Sequence, residues 1–370
     1  MQFDRTKPHN HLPLLPPVKK IEENVSILKK LVTASRALAA VDGRMSRLPN
    51  PSMLINTIAL QEAKTSSEIE NIFTTGDDLY KTISDSTQNK VINPATKEVL
   101  RYREALWAGY KELQENPVIT TDLIINIFRQ VKKSSASLRS PQAVVFIKRG
   151  NSELRPGEII YTPPRGIGVI EKLLDNLIEY LNDDEKYPTD PLLKMCVAHY
   201  QFEAIHPFHD GNGRTGRILS LLYLCQKKLL SYPALCLSKY IILHKDDYYN
   251  KLVKVTQRAS WKGWINYMLE GIEQTALLTS SLIDEILVQM NSTLEYGKIH
   301  IDWYTKEINE IIFSQPYIRY NTLGEVLSVS SRTTLTKYFD QLVELKILSV
   351  KRIGRKVFYV NDDLIRILES

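Results

Sequence analysis

Residues Ala204 to Arg217, reading AIHPFHDGNGRTGR, constrain this chain more than any other stretch. The segment before them, Pro191 to Ile205, carries Leu192, Met195, Cys196, His199, Phe202 and Ile205 at mostly three- and four-residue steps, which predicts a buried helix. The segment after them, with Ile218, Leu219, Leu221, Leu222, Leu224 and Cys225, predicts a second. A polar loop rich in glycine and arginine is thus fixed between two apolar helices. The run Gly211 to Gly216 formally fits G-x-G-x-x-G, but a dinucleotide fingerprint needs a preceding strand and an acid about 20 residues later. Here a helix precedes it and Lys227-Lys228-Leu229-Leu230-Ser231 follows, and no Gly-Lys pair makes it a phosphate loop of the nucleoside-triphosphatase kind.

The physics of a glycine-rich loop that opens a helix still favours an anion. Free N–H groups and the positive end of the helix dipole attract phosphate, and Gly211 and Gly213 let the backbone wrap it. Arg214 and Arg217 lie three apart, on one face of the first turns, and can fork onto phosphate oxygens. Asp210 is a hard oxygen ligand suited to Mg²⁺ arriving with a nucleotide. His206, at the end of the preceding helix, reads either as a base for an attacking hydroxyl or as a structural helix-end histidine.

The twelve residues His206 to Arg217 carry H-P-F-x-D-G-N-G-R-x-x-R without departure. This stretch resembles the signature of the Fic-domain family, most of whose members transfer AMP from ATP to a hydroxyl side chain of a target protein. The resemblance implies His206 as the catalytic base and Asp210 as the metal ligand. It also implies ATP phosphates held along Gly211, Asn212, Gly213, Arg214, Thr215, Gly216 and Arg217.

Many members of that family carry an inhibitory helix reading Ser or Thr, three residues, Glu, then Gly or Asn. Ser66, Glu70 and Asn71 fit it, on a helix expected over about 53–73 and capped by Ser52. Unaided by the resemblance, Ser66 and Glu70 read as an i,i+4 pair on a solvated face. With it, Glu70 is implied to take Arg217 away from the γ-phosphate. Other similarities to such N-terminal regions are Leu14-Leu-Pro-Pro17, Ala37-Leu-Ala-Ala40 with Asp42-Gly43, and Leu48-Pro-Asn-Pro51.

The rest of the chain reads in order. Residues 1–17 are a proline-rich arm, with His9 and His11 given no metal role. Ile21 to Val41 is a helix stopped by Gly43, and Val99–Leu113 and Thr121–Lys132 are two more. Ala143–Ile147 and Glu158–Thr162 read as a hairpin over about 142–163. In the family the corresponding hairpin is a flap that adds the target's main chain as a strand, which makes Ile160 and Tyr161 its lip. Gly168–Leu181 is a helix. Tyr248 and Tyr249, after Ser238–Ile242, are implied as adenine contacts, Tyr248 first, while Trp261 and Trp264 read as core.

A connecting helix is expected over 276–304 and a separate unit over 305–370. Three helices and a basic hairpin turning at Gly354 read as a winged helix. Arg332, Thr333 and Lys337 would open its recognition helix, and Lys351, Arg352, Arg355 and Lys356 would line its wing, suited either to DNA or to protein contact. The fold class expected is mainly α: a Fic-type helical bundle with a β-hairpin flap and a C-terminal α+β winged helix. Its regions would be 1–110, 111–275, 276–304 and 305–370.

Composition agrees with a globular protein. The chain has 370 residues, 43% of them hydrophobic and 24% charged, and a mildly basic balance of +6. No apolar run suits a membrane helix and the first 20 residues lack a signal pattern, so a cytoplasmic protein without membrane partners is expected. Cys196, Cys225 and Cys236 read as buried reduced thiols. The function expected is protein adenylyltransfer with ATP and Mg²⁺, on target proteins and on the chain itself. A homodimer, transfer of another phosphate-containing group, AMP removal, and a DNA-binding regulator with a Fic sensor site stay open.

Overall fold

The computed structural model describes residues 3–17, 21–48, 51–84, 92–148, 157–318, 320–327, 329–353 and 356–369. In chain order its elements begin with α1 Val25–Met45, α2 Pro51–Ile69, α3 Gly76–Ser84, α4 Pro94–Glu115 and α5 Thr121–Lys132. Strands β1 Ile147–Lys148 and β2 Ile159–Tyr161 follow, then α6 Val169–Asn182, α7 Pro191–Ile205, α8 Asn212–Gln226, α9 Leu237–Leu243 and α10 Lys245–Arg258. The C-terminal third has α11 Trp261–His300, α12 Lys306–Ile312, β3 Tyr317–Ile318 and α13 Tyr320–Val326. It ends with α14 Arg332–Glu344, β4 Ser349–Ile353, β5 Lys356–Val360 and α15 Asp362–Glu369. The protein is mainly helical with two small antiparallel sheets. Among the described residues no helix is long and apolar enough to cross a membrane.

The chain divides into two compact units, and α1, α2, α4 and α11 contribute residues to both. The first holds Met1–Asp42, Ala59–Phe73 and Lys97–Leu277. At its centre lies α7, buried from Leu192 to Ile205, packed against α6 and α8, while α5 packs on α8. Helix α7 starts where Asp190 accepts the Leu192 N–H at 2.8 Å ahead of Pro191, whose missing donor costs nothing in a first turn. Gly216 sets the spacing of α7 and α8: a Cβ there would meet Glu203 Oε1 at 2.7 Å and Phe202 Cδ1 at 2.8 Å. Trp264 is core, as expected, and donates to the Cys196 carbonyl at 2.7 Å. Cys196 and Cys225 are buried free thiols and Cys236 is half-buried.

The N-terminal arm lies against this unit. Asn176 brackets Leu15 with bonds to its N–H and C=O at 2.7 and 3.1 Å, and Gln201 donates to the Pro13 carbonyl at 2.9 Å. The hairpin is shorter than expected, pairing Ile147 with Tyr161 and Lys148 with Ile159. Both residues expected at its lip are buried, Ile160 at 2% and Tyr161 at 0% exposure. The arm accounts for Tyr161: Phe3 stacks on its ring, His9 meets it edge-on, and the His9 N–H donates to the Thr162 carbonyl at 3.0 Å. Among the described residues of the hairpin region, the exposed apolar ones are instead Val144 and Phe146.

The second unit holds Gly43–Ile58, Thr74–Thr96 and Leu278–Ser370. Its sheet runs β3-β5-β4, with the hairpin β4–β5 in register from Ser349–Val360 to Ile353–Lys356. Phe339 of α14 stacks on Tyr359 at 4.0 Å between ring centroids. The third strand, α15 and α3 were not legible in the sequence. Helix α3 belongs to this unit through Tyr317, whose carbonyl accepts from Ser84 Oγ at 2.8 Å and whose hydroxyl donates to Asp77.

Several boundaries differ from expectation. Gly43 lies inside α1, which runs on to Met45; nothing crowds it, and neither a left-handed turn nor a proline stops the helix there. Helix α2 begins at Pro51, so Ser52 sits within its first turn rather than capping it, and it ends at Ile69 rather than Phe73. Helix α11 begins at Trp261, not Ala276. Arg332, Thr333, Lys337, Lys351 and Arg352 are exposed, and Lys351 also bonds Asp77 at 2.7 Å. Lys356 opens β5, and Gly354 and Arg355 lie outside the described residues.

Candidate active site

The loop between α7 and α8 is held from several sides. His206 caps α7 in the left-handed region, at φ 51° and ψ 60°. Phe208 is fully buried and stacks on Phe128 of α5, their centroids 4.0 Å apart. Asn212 closes the loop: its Oδ1 accepts the Phe208 N–H at 2.9 Å and its Nδ2 donates to the Phe208 carbonyl at 2.8 Å. Its side chain is therefore spent on the loop. The Thr215 hydroxyl is likewise used on the Gly211 carbonyl at 2.9 Å, and Gly216 is a packing residue. Gly211, at φ 80°, caps α8 without any side chain, so the first N–H groups of that helix have no side-chain acceptor from the cap.

The state of His206 follows from one bond. Its Nδ1 lies 3.3 Å from the Glu203 carbonyl, which can only accept, so Nδ1 carries the hydrogen and Nε2 carries the lone pair. Burial pushes the imidazole down to about 4, and Arg139 pushes the same way, against the Glu203 carbonyl, Glu70 and Asp210. At neutral pH it is an unprotonated base.

Arg217 lies 3% exposed at the end of α2. Its Nε donates to Ser66 Oγ at 2.8 Å, and its Nη2 donates to the Ser66 carbonyl and to Glu70 Oε1, both at 2.9 Å. Burial alone would weaken the guanidinium's charge, and the neighbouring Glu70 carboxylate more than offsets it. Gly213 makes the room, since a Cβ there would lie 2.4 Å from Glu70 Oε1 and 2.9 Å from Arg217 Nη1. The third residue of the pattern, Asn71, has a structural reason. It takes φ 63° just past the helix, its N–H bonds the Glu68 carbonyl, and the Ile72 N–H bonds the Ser67 carbonyl, both at 3.0 Å. This is a Schellman ending, which favours asparagine or glycine at the left-handed position. Lys245 completes the cap by donating to the Ile69 carbonyl at 2.8 Å.

The other charged groups are paired within the chain. Arg214 is 1% exposed and bonds Glu98 Oε2 at 2.8 Å, so the fork expected for phosphate rests on a carboxylate. Asp210 takes Lys132 Nζ at 2.6 Å on Oδ2 and the Gly211 N–H at 2.6 Å on Oδ1. Tyr248, expected against adenine, is a core residue. It is 6% exposed, donates to His199 Nε2 at 3.0 Å and lies against Trp264. The chain continues as His199 Nδ1 to Ser220 Oγ at 3.0 Å and Ser220 Oγ to the Gly216 carbonyl at 2.9 Å. Tyr249 is the half-buried member of the pair.

Comparison with known proteins follows the same division of the chain. Residues 28–111 match the Fic/DOC family N-terminal region and residues 118–224 match the Fic/DOC family itself. The chain belongs to the Fic/DOC family. Residues 289–364 of this Fic protein match the C-terminal domain described as protein adenylyltransferase SoFic-like. It is 28% identical over 148 residues to protein adenylyltransferase Fic of Aedes aegypti, an alignment covering 39% of this chain and 28% of the relative. It is 31% identical over 140 residues to protein adenylyltransferase fic-1 of Caenorhabditis elegans, covering 36% and 26%. The aligned stretch thus spans little more than a quarter of either relative. In fold, a Fic family protein from Desulfovibrio desulfuricans G20 aligns with TM-score 0.56 at 20% identity over 94% of this chain and 98% of that one. Fic-1 from C. elegans aligns with TM-score 0.52 at 17% identity, over 70% and 74%.

Lys132, Glu98, Lys245, Arg139 and Glu203 escaped the sequence reading. Glu203 is buried beside Gly216, and burial pushes its carboxyl up to about 7 against the pull of Arg217. Each is remote in sequence from what it touches or silent in its local pattern, so periodicity carried no signal for them.

Proposed function

We propose that this chain is a protein adenylyltransferase that moves AMP from ATP to a hydroxyl side chain of a target protein and is held inactive by Glu70. The observation that carries the reading is His206: unprotonated, with Nδ1 committed to Glu203 and Nε2 left as acceptor, beside a glycine-rich helix start. Such a base takes the proton of the target hydroxyl as its oxygen attacks the α-phosphate, and pyrophosphate leaves. Backbone N–H groups at the start of α8 receive phosphate oxygens. Tyr249 rather than Tyr248 is the residue we assign to adenine.

A divalent cation fits at Asp210. Among the described residues no three histidine, cysteine or acidic side chains cluster to hold a metal by themselves. Asp210 is a hard, largely exposed carboxylate that already holds the ammonium of Lys132, and Mg²⁺ commonly takes one carboxylate together with substrate phosphates. When bound, Mg²⁺ would neutralise charge developing on the phosphates. Arg217 would serve the γ-phosphate once Glu70 withdraws, so the Ser66–Glu70–Arg217 contacts support autoinhibition.

The test uses ATP labelled at the α- or γ-phosphate with wild type, Glu70→Gly and Glu70→Gly/His206→Ala. Label entering protein from the α-position only, raised in the single variant and lost in the double, is expected. Label from the γ-position, or transfer that survives loss of His206, would overturn the mechanism. For the second unit we propose DNA contact by a winged helix, favoured by the exposure of Arg332, Lys337 and Arg352. Changing each to Ala should lower the salt dependence of DNA affinity by about one ion; a slope unchanged in all three would reject it.

A further inference from the structure

Arg139 is a buried cation without an acid. It is 3% exposed, burial lowers its pKa, and among the described residues no carboxylate pairs with it. A guanidinium taken out of water costs several kcal/mol unless its donors are satisfied. Here they meet main-chain carbonyls: Nε donates to His206 at 2.8 Å, Nη2 to Pro164 at 2.5 Å and Ile205 at 3.2 Å, and Nη1 to Ala143 at 3.4 Å. Its own N–H donates to the Pro207 carbonyl at 2.9 Å.

These acceptors come from three separate places. Ala143 precedes β1 and Pro164 follows β2, so they are the two legs of the hairpin. Ile205, His206 and Pro207 form the left-handed turn that carries the base. The carbonyls of Ile205 and His206 also lie at the negative end of α7, where a cation is favoured. A single planar fork therefore ties both legs of the hairpin to the turn of His206.

We propose that Arg139 is a positioning residue that couples the hairpin to the base, so that a target docked on the hairpin is registered against His206 Nε2. The inference rests on the adenylyltransfer reading of the same site. It assigns Arg139 no contact with nucleotide: among the described residues its hydrogen-bond partners lie on the hairpin and the turn, none in the stretch Gly211 to Arg217 that would receive the phosphates. Its loss should therefore separate chemistry from nucleotide binding, which a residue needed merely for folding would not do. Lysine keeps the charge but replaces the fork by one ammonium, which cannot span both legs and the turn.

The experiment places Arg139→Gln and Arg139→Lys in the Glu70→Gly background. It measures kcat for AMP transfer, affinity for a non-hydrolysable ATP analogue by calorimetry, and amide hydrogen exchange. We expect kcat to fall about 100-fold in Arg139→Gln and about 10-fold in Arg139→Lys, the scale of a misplacement near 1 Å. Analogue affinity should stay within about twofold, because loop and α8 are untouched. Exchange should rise together at Ile159–Thr162 and at His206 and Phe208. An unchanged kcat, an analogue affinity that falls in step with kcat, or exchange that rises in one segment alone would overturn the coupling. If Arg139→Gln does not fold, Arg139→Lys decides by the same three readings. A Glu70→Gly parent inactive in AMP transfer would count against the proposed function, and hydrogen exchange would then still test the coupling by itself.

Discussion

Asn71 and His206 both occupy left-handed backbone, and in both the conformation serves the side chains around it. For Asn71 the consequence is measurable. Alanine there costs about 1 kcal/mol in the left-handed region, whereas glycine costs nothing sterically. Asn71→Ala should therefore loosen the last turn of α2 and raise basal AMP transfer several-fold, and Asn71→Gly should leave it near wild type. Initial rates of the two variants compare them directly; equal rates would refute the argument. For His206 the consequence is a pH profile. An ordinary imidazole titrates near 6.5, and this one is pushed down to about 4. The base stays unprotonated above about 4, so the acid limb of single-turnover rate in Glu70→Gly belongs near pH 4, not 6.5. The same depressed pKa makes its contribution to stability complete above pH 6.5 and lost as pH falls towards 4, because the unfolded chain takes the proton first. At this scale the twelve-residue motif was legible, since its chemistry is written in residue types. Arg139 was not: it stands 67 residues from His206, and a lone arginine after Ser-Leu has no periodicity to betray it. Which of Tyr248 and Tyr249 is buried was not legible for a related reason, because only the rotation of α10 about its axis decides it.

Helices α7 and α8 approach closely because Gly216 has no side chain. The obstacles to a Cβ are Glu203 Oε1 and Phe202, both in the interior of α7, where neither can move far. Gly216→Ala should cost about 1–3 kcal/mol by overpacking, read as a lower urea midpoint at unchanged slope. A midpoint equal to wild type would show that α7 yields. Periodicity predicted α5, α6 and α7 nearly to the residue, because capping residues or positive-φ positions stand at their starts: Thr120, Gly168 and Asp190. Gly43 misled for the complementary reason. A glycine ends a helix only when the backbone turns left-handed there, and around Gly43 the helical bonds simply continue. Strand β2 falls inside the expected run Glu158–Thr162, whereas the two-residue strands β1 and β3 are fixed by packing partners rather than by their own sequence.

In the second unit, segments far apart in the chain make one body. Asp77 is held down to about 2: burial would raise it, and Lys351, Lys81 and Tyr317 more than reverse that. Tyr80 stacks on Tyr317, and Ser84 bonds the Tyr317 carbonyl. A fragment cut at 305–370, the boundary that helix and hairpin patterns suggest, lacks all three partners. It should unfold at a lower temperature, with a broader transition, than a polypeptide in which residues 74–96 are supplied in trans. Equal melting with and without that peptide would count against α3 as part of the unit. Sequence reading found the helices and hairpin of this unit but not its partner from residues 74–96, since nothing local marks where a distant helix will pack.

The contact between Glu70 and Arg217 has a kinetic meaning that geometry alone does not announce. Both residues belong to one chain and one compact unit, 147 positions apart. On the autoinhibition proposed above, the carboxylate acts as a tethered competitor, present at a fixed effective concentration that dilution does not change. Inhibition of this kind is first order in protein: specific activity at 10-fold lower enzyme should be the same as before. Whatever relieves it must act on the last turn of α2 within each molecule, or raise the nucleotide's own claim on Arg217.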